Sequence, residues 1–269
     1  MIGLQLSQLQ TGYQLRGKRQ IVSQSIDASL PLGQMAMLLG PNGSGKSTLM
    51  RTIAGLQPPF AGELRIIGQD AAQTSLSQRA KLLSLVLTDR ISSDIMTVEE
   101  LVAIGRYPHI GYMGRLGAED KRIVGESIER CRLGDMATRP LAQLSDGERQ
   151  RVMVARALAQ DTPLILLDEP TAHLDLPSRI ELIVMLRQLA RDTQRCILLS
   201  THELDLALSW ADSLWLMNTQ GELRTGSSDE LIDTGTLEAA FGNEWLRFDR
   251  ERRCFVPKDS IETIARAPQ

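Results

Sequence analysis

Nine residues, Gly40-Pro41-Asn42-Gly43-Ser44-Gly45-Lys46-Ser47-Thr48, decide how the rest of this chain is read. The five before them, Met35-Ala36-Met37-Leu38-Leu39, are apolar without alternation, the texture of a strand buried on both faces. From Lys46 to Ala54 the pattern turns helical and is closed by Gly55. A strand, a turn with the spacing G-x4-G-K-[ST] and a helix together suit the binding of phosphate groups. The glycines let successive backbone N–H groups point inward around anionic oxygens, and the helix start adds partial positive charge at the same place. Lys46 is then placed to reach the outer phosphates and the Ser47 hydroxyl to sit on Mg²⁺. The stretch reads as a cradle for a nucleoside triphosphate.

Further along, Leu164-Ile165-Leu166-Leu167 ends on Asp168-Glu169. Two carboxylates thus stand at the carboxyl end of a buried strand, where an open α/β sheet places its ligand. Asp168 suits a Mg²⁺ shell, and Glu169 suits the polarising of an attacking water. Cys196 to Ser200 is another apolar strand, ending at Thr201-His202. Near-alternating residues before Met35 read as strands, and Gly62 to Gly68 as a short strand between turns. From about Ser77 to Leu141 the texture is helical, with Val98–Ile104 and Lys121–Leu133 amphipathic, and Gln150 to Gln160 gives a further long helix. Strands alternating with helices predict a mainly parallel sheet, and the helical middle predicts an inserted lobe. After about Ser227 short helical and strand signals are mixed.

Composition narrows the function. Of 269 residues 42% are hydrophobic and 23% charged, enough for a buried core and far from a disordered chain. A net charge of -3 argues against a non-specific nucleic-acid binder, which carries a basic surplus. Cys131, Cys196 and Cys254 are too widely spaced for a metal site or a disulfide framework and read as reduced thiols. The first twenty residues are polar and alternating, unlike a leader peptide, and no apolar run nears the roughly 18 residues of a membrane span. The expectation is a soluble chain whose membrane role, if it has one, comes through a partner.

Three more segments carry a resemblance to a known family. Leu144-Ser145-Asp146-Gly147-Glu148-Arg149-Gln150 resembles the LSGGQ-type signature, Ala172-His173-Leu174-Asp175 the D-loop, and Thr201-His202-Glu203 the switch histidine of the ABC (ATP-binding cassette) ATPases. Tyr13 matches their adenine-stacking aromatic residue, and order and spacing agree over about Leu4 to Met217. The resemblance implies a P-loop NTPase of the α/β class, with a mainly parallel sheet, an N-terminal antiparallel β part and a helical lobe inserted at about residues 89–160. It implies a main domain over residues 1–225, with a C-terminal extension over 226–269 packed on it. It also implies ATP hydrolysis with Mg²⁺ in a head-to-tail dimer, a second copy of this chain being the expected partner. Ser145 and Gly147 would reach the γ-phosphate held by the partner's loop, and His202 would contact that of its own subunit.

Within the family, Val102 to His109 (VAIGRYPH) and the preceding Met96-Thr97-Val98-Glu99-Glu100 resemble ATPases that serve iron-siderophore, haem and cobalamin importers. Two membrane permease subunits, indirectly a substrate-binding protein, and a peripheral place on the cytoplasmic face of the inner membrane are the expectations this carries. Two departures bear on turnover. Asp146 stands where the family carries glycine, pointing away from the nucleotide or capping the signature helix. Thr88 falls where family spacing expects the metal-contacting glutamine of the Q-loop, with Asp89 beside it. The competing reading is a soluble, non-transport ABC ATPase such as an iron–sulfur assembly cassette. A third is a degenerate regulatory subunit, which Thr88 and Asp146 motivate and which Asp168, Glu169 and His202 oppose.

Overall fold

The computed structural model describes residues 1–15, 18–87, 95–110 and 114–258. Its strands are β1 (Ile2–Leu15), β2 (Lys18–Pro31), β3 (Met35–Leu39), β4 (Ala61–Ile66), β5 (Gln69–Asp70), β6 (Leu83–Val86), β7 (Leu164–Leu167), β8 (Cys196–Ser200), β9 (Ser213–Met217), β10 (Leu223–Gly226), β11 (Leu246–Asp249) and β12 (Cys254–Pro257). Strands β6 to β10 and β3 form a six-stranded sheet in the order β10-β9-β3-β8-β7-β6, parallel except for its edge strand β10. A second, antiparallel sheet has the order β2-β1-β4-β5.

The apolar runs Met35–Leu39, Leu164–Leu167 and Cys196–Ser200 become the three neighbouring strands β3, β7 and β8, buried throughout. Period two sorts their side chains. Met35, Met37, Leu39, Ile165, Leu167, Ile197 and Leu199 enter one core, whereas Ala36, Leu38, Leu164, Leu166 and Leu198 enter the other. The second core is closed by the antiparallel sheet through Leu4, Leu6, Leu9, Ile26 and Leu64 and by helix α1 (Lys46–Ile53). Short α2 (Leu76–Arg79) follows β5. Between β6 and β7 lie α3 (Val98–Ile104), α4 (Ala118–Arg130) and α5 (Asp146–Ala159), which pack on one another and on the first core. α6 (Leu176–Thr193) and α7 (Leu204–Trp210) cover the same face.

Two details differ from the sequence reading. The long helix α5 starts at Asp146, four residues earlier than its apolar pattern suggests, because Ser145 and Glu148 form a capping box. Ser145 is therefore the cap, and Asp146 lies exposed in the first turn, 4.0 Å from Arg149. The expectation that Asp146 caps the helix is corrected by this geometry.

The VAIGRYPH segment, whose Gly105 closes α3, also holds α5, which its resemblance alone did not indicate. Gly105 lies so near α5 that a Cβ there would come within 2.3 Å of the Arg156 carbonyl oxygen. Arg106, almost fully buried, donates to Ala159 O at 2.8 Å and pairs with Asp120 at 2.9 Å, and His109 Nε2 lies 2.8 Å from Gln160 O. Gln160 in turn donates to Ala80 O and Leu83 O. The carboxyl end of α5 is thereby clasped by the lobe on one side and by the start of β6 on the other.

The last segment contributes α8 (Ser228–Asp233) and α9 (Thr236–Phe241), whose Leu231, Ile232 and Leu237 are buried in the first core beside Leu214 and Leu216. The β11–β12 hairpin joins them through Phe248 and Phe255, edge to face at 5.1 Å.

Candidate functional site

Because β3, β8 and β7 are adjacent and parallel, the three segments after their carboxyl ends meet on one edge of the sheet. From β3 comes the loop Gly40–Gly45. Gly40, Gly43 and Gly45 have φ of 155°, 80° and 106°. A Cβ at Gly40 would meet Met217 O at 2.3 Å, and one at Gly45 would meet Val22 Cγ1 at 2.5 Å, so this turn accepts no side chain at either position. Lys46 opens α1 and folds back over the loop, its Nζ donating to Gly40 O at 2.7 Å and Pro41 O at 3.1 Å. Burial pushes the Lys46 ammonium below its ordinary pKa of 10.5, while Glu169 and Asp168 nearby counter that shift. Ser44 is buried, and its Oγ has no hydrogen-bond partner among the described residues. Such an orphaned hydroxyl inside a cradle of glycines suits an anionic oxygen ligand.

From β7 come Asp168 and Glu169. Glu169 has φ 48°, left-handed, and its Oε1 lies 2.5 Å from His202 Nε2. A carboxylate only accepts, so Nε2 of His202 carries the hydrogen of this bond. From β8 come Ser200, whose Oγ donates to Asp168 Oδ1 at 2.6 Å, and then Thr201 and His202. A cavity of about 490 Å³ lies in front of them. It is lined by Asn42, Gly43, Gly45, Lys46, Ser47 and Thr48 of the loop and helix start, by Glu169 and His202, and by Tyr13, Gln20, Ile21, Val22 and Thr219. Gly40 and Pro41 touch this lining through Lys46, whereas Ser44 and Asp168 are the sequence neighbours of the lining residues Gly45 and Glu169.

Ser145 and Gly147 do not line the cavity of their own chain. They stand at the start of α5, where Gly147 faces α6: a Cβ on it would lie 3.2 Å from Ser178 Oγ. The short loop before α6 is fixed by Asp175, which caps that helix through Ser178 N. Thr88, the expected Q-loop metal contact, lies outside the described residues. Among the described residues no group of three or more His, Cys, Asp or Glu side chains is arranged to hold a metal ion. No described helix is long and apolar enough to cross a membrane.

Sequence reasoning missed Ser200, Gln20–Val22 and Thr219. A polar residue closing an otherwise apolar strand was the signal available for Ser200. Gln20–Val22 enter through pairing, since β2 brings Gln20 opposite Tyr13, and Thr219 enters from the turn after β9; no local pattern announces either placement.

A glycine-rich strand–loop–helix cradle facing two carboxylates on a parallel sheet defines a P-loop nucleotide-binding protein. The sequence matches the ABC transporter family over residues 23–172, more than half of the chain. The achromobactin transport ATP-binding protein of Dickeya dadantii is 34% identical over 222 residues, covering 82% of each chain. The iron(3+)-hydroxamate import ATP-binding protein of Bacillus subtilis is 35% identical over 241 residues, covering 90% of this chain and 88% of its own. Among solved structures, a subunit of an ABC transporter described as of metal-chelate type, in an inward-facing conformation, superposes with a TM-score of 0.78 at 25% identity. It covers 97% of this chain and 100% of that one. The chain belongs to the ABC transporter family, as its ATP-binding and ATP-hydrolysing component.

Proposed function

We propose that this chain is the motor subunit of a membrane importer for an iron-siderophore, haem or cobalamin-like cargo, working as a head-to-tail pair of identical cassettes. One observation carries the paired reading. Lys46, Glu169 and His202 share a cavity, while Ser145, exposed at the start of α5, and Gly147 in its first turn lie outside it. A second copy turned head to tail would supply that helix start, with its N–H groups and partial positive charge, to the nucleotide. The names of the two relatives, achromobactin transport and iron(3+)-hydroxamate import, support the iron-siderophore part of this cargo class.

Within each cavity the Gly40–Thr48 backbone and Lys46 bind the phosphates, Tyr13 takes the adenine, and Glu169 orients and deprotonates the attacking water. His202, bonded to Glu169, contacts the γ-phosphate and so registers whether it is still attached. The donor set fits Mg²⁺, since the Ser47 hydroxyl and Asp168 carboxylate are hard oxygen ligands and the nucleotide would supply the others. The ion, when bound, neutralises charge on the outer phosphates. The chain itself would sit at the cytoplasmic face of the inner membrane, held there by two permease subunits, with a substrate-binding protein engaged through them.

The test is affinity capture of the full chain from gently solubilised membranes, with uptake of radiolabelled ferric chelates and cobalamin in cells lacking it. Recovery of a many-helix membrane protein and loss of uptake, restored by the wild type but not by Lys46→Ala, is the expected result. Recovery of soluble partners alone, with uptake intact, would move the chain to the non-transport ABC ATPases.

A further inference from the structure

Ser200 is 1% exposed, and its side chain makes two hydrogen bonds of different kinds. Its hydroxyl donates to Asp168 Oδ1 at 2.6 Å and its oxygen accepts the backbone N–H of Glu169 at 2.9 Å. A serine hydroxyl has a single hydrogen, so the proton goes to Asp168 and the lone pair to Glu169. One buried atom therefore touches both consecutive acids at the end of β7. It belongs to β8, the strand that two residues later delivers His202.

Each bond acts on a different acid. A bond to an ionised acceptor is short and strongly oriented, and this one fixes how the Asp168 carboxylate is turned. The other acts on the backbone of Glu169, whose φ of 48° is a left-handed conformation that a residue with a Cβ adopts only at a cost. In that conformation the Glu169 side chain meets His202. The N–H bond to Ser200 is one of the constraints that hold it there.

We propose that Ser200 is a positioning residue for hydrolysis, orienting Asp168 toward the metal and Glu169 toward the attacking water through one hydroxyl. The proposal rests on the roles assigned to Asp168 and Glu169 above. Alanine removes only the oxygen and leaves a smaller side chain, so Ser200→Ala can be examined in the folded full-length chain.

Three quantities are measured on it: steady-state turnover, the Mg²⁺ concentration giving half the maximal rate, and nucleotide affinity in excess chelator by fluorescence titration. Turnover should fall roughly tenfold, the worth of about one buried hydrogen bond to a charged group. Half-saturating Mg²⁺ should rise several-fold, with affinity in chelator unchanged within about a factor of two. Turnover and Mg²⁺ dependence both at wild-type values would overturn the proposal. So would an affinity in chelator that falls in step with turnover, because Ser200 would then support the cavity as a whole. Glu169→Gln, run alongside, separates the two readings. If it stops hydrolysis while Ser200→Ala is unimpaired, the Ser200 proposal alone is lost. If Glu169→Gln itself turns over at the wild-type rate, the site assignment falls and takes the proposal with it.

Discussion

His202 Nε2 and Glu169 Oε1 lie 2.5 Å apart, although 33 positions separate them in the chain. The contact exists because β7 and β8 are parallel neighbours in register, Leu167 opposite Leu199, so that the residues beyond each strand emerge at the same height. Lys46 lines the same cavity, and in the function proposed above this arrangement would act on the terminal phosphate of a bound nucleotide.

Replacing Glu169 by Gln should leave nucleotide binding intact and lower turnover by roughly 10²–10⁴-fold, the usual worth of a general base. His202→Ala should lower turnover with a smaller change in ATP affinity, since Lys46 and the loop backbone remain. Equilibrium binding and phosphate release, measured on the same samples, check both. Loss of binding in step with turnover in either variant would count against these roles.

The lowered pKa of Lys46 gives a pH signature. Unfolded, this lysine titrates near 10.5, while in the fold burial makes it lose its proton earlier. In the window between the two values the unfolded chain binds more protons, so the stability of the nucleotide-free protein gains from this group as pH rises. Bound phosphates favour the ammonium, so ATP affinity moves the other way and declines as pH climbs through the same window. Thermal unfolding with and without ATP across alkaline pH should show the stabilisation by ATP shrinking. Lys46→Met should have weak, nearly pH-independent ATP binding in that range.

Arg106 is predicted to matter for stability more than for nucleotide binding. Arg106→Ala removes the ion pair with the partly exposed Asp120, which keeps its bond from Gly117 N, and leaves Ala159 O without its donor, a loss of roughly 1–3 kcal/mol. Lysine should restore little, because it cannot reach a carboxylate and a carbonyl with a rigid fork. Urea unfolding monitored by circular dichroism measures the difference.

Asp146 tests the cost of a carboxylate at the signature. Its neighbour Arg149 is 4.0 Å away, and it lies exposed in the first turn of α5. We expect Asp146→Gly to raise turnover by up to about fivefold, the effect of relieving roughly 1 kcal/mol of repulsion in water. The same change should destabilise the chain by about 1 kcal/mol, through added backbone freedom and a lost acid at a helix start. The inference behind this is that Asp146 slows closure of the pair, and unchanged rate and ATP affinity would overturn it.

Much of the scaffold was legible because its central strands are apolar runs ending abruptly in glycine, charge or a hydroxyl residue. Met35–Leu39, Leu164–Leu167 and Cys196–Ser200 appear in the structure with the bounds their sequence suggests. Elements stabilised by side-chain to backbone bonds were less legible. Ser145 and Glu148 start α5 before its apolar face begins, so a reading by hydrophobic period starts it too late. Least legible was whatever depends on register between distant strands. The 14-residue strands β1 and β2 pair with several register shifts, and only that pairing sets Gln20 against Tyr13. Likewise, Ser200 is an ordinary strand residue until β7 lies beside it.

The way α5 is held has a mechanical consequence. At its carboxyl end Arg106, His109 and Gln160 tie it to both the lobe and β6. From Val152 to Ala159 its apolar side chains are buried, whereas Ser145 and Asp146 stand out in solvent. From its exposed start to that tied end the helix is about 21 Å long. A tilt of about 5° at the anchored end would carry the far tip about 2 Å, comparable to the difference between making and missing a hydrogen bond. In the paired arrangement proposed above, leverage of this kind would let a small rotation imposed on the lobe decide whether the signature meets the phosphate of a facing subunit.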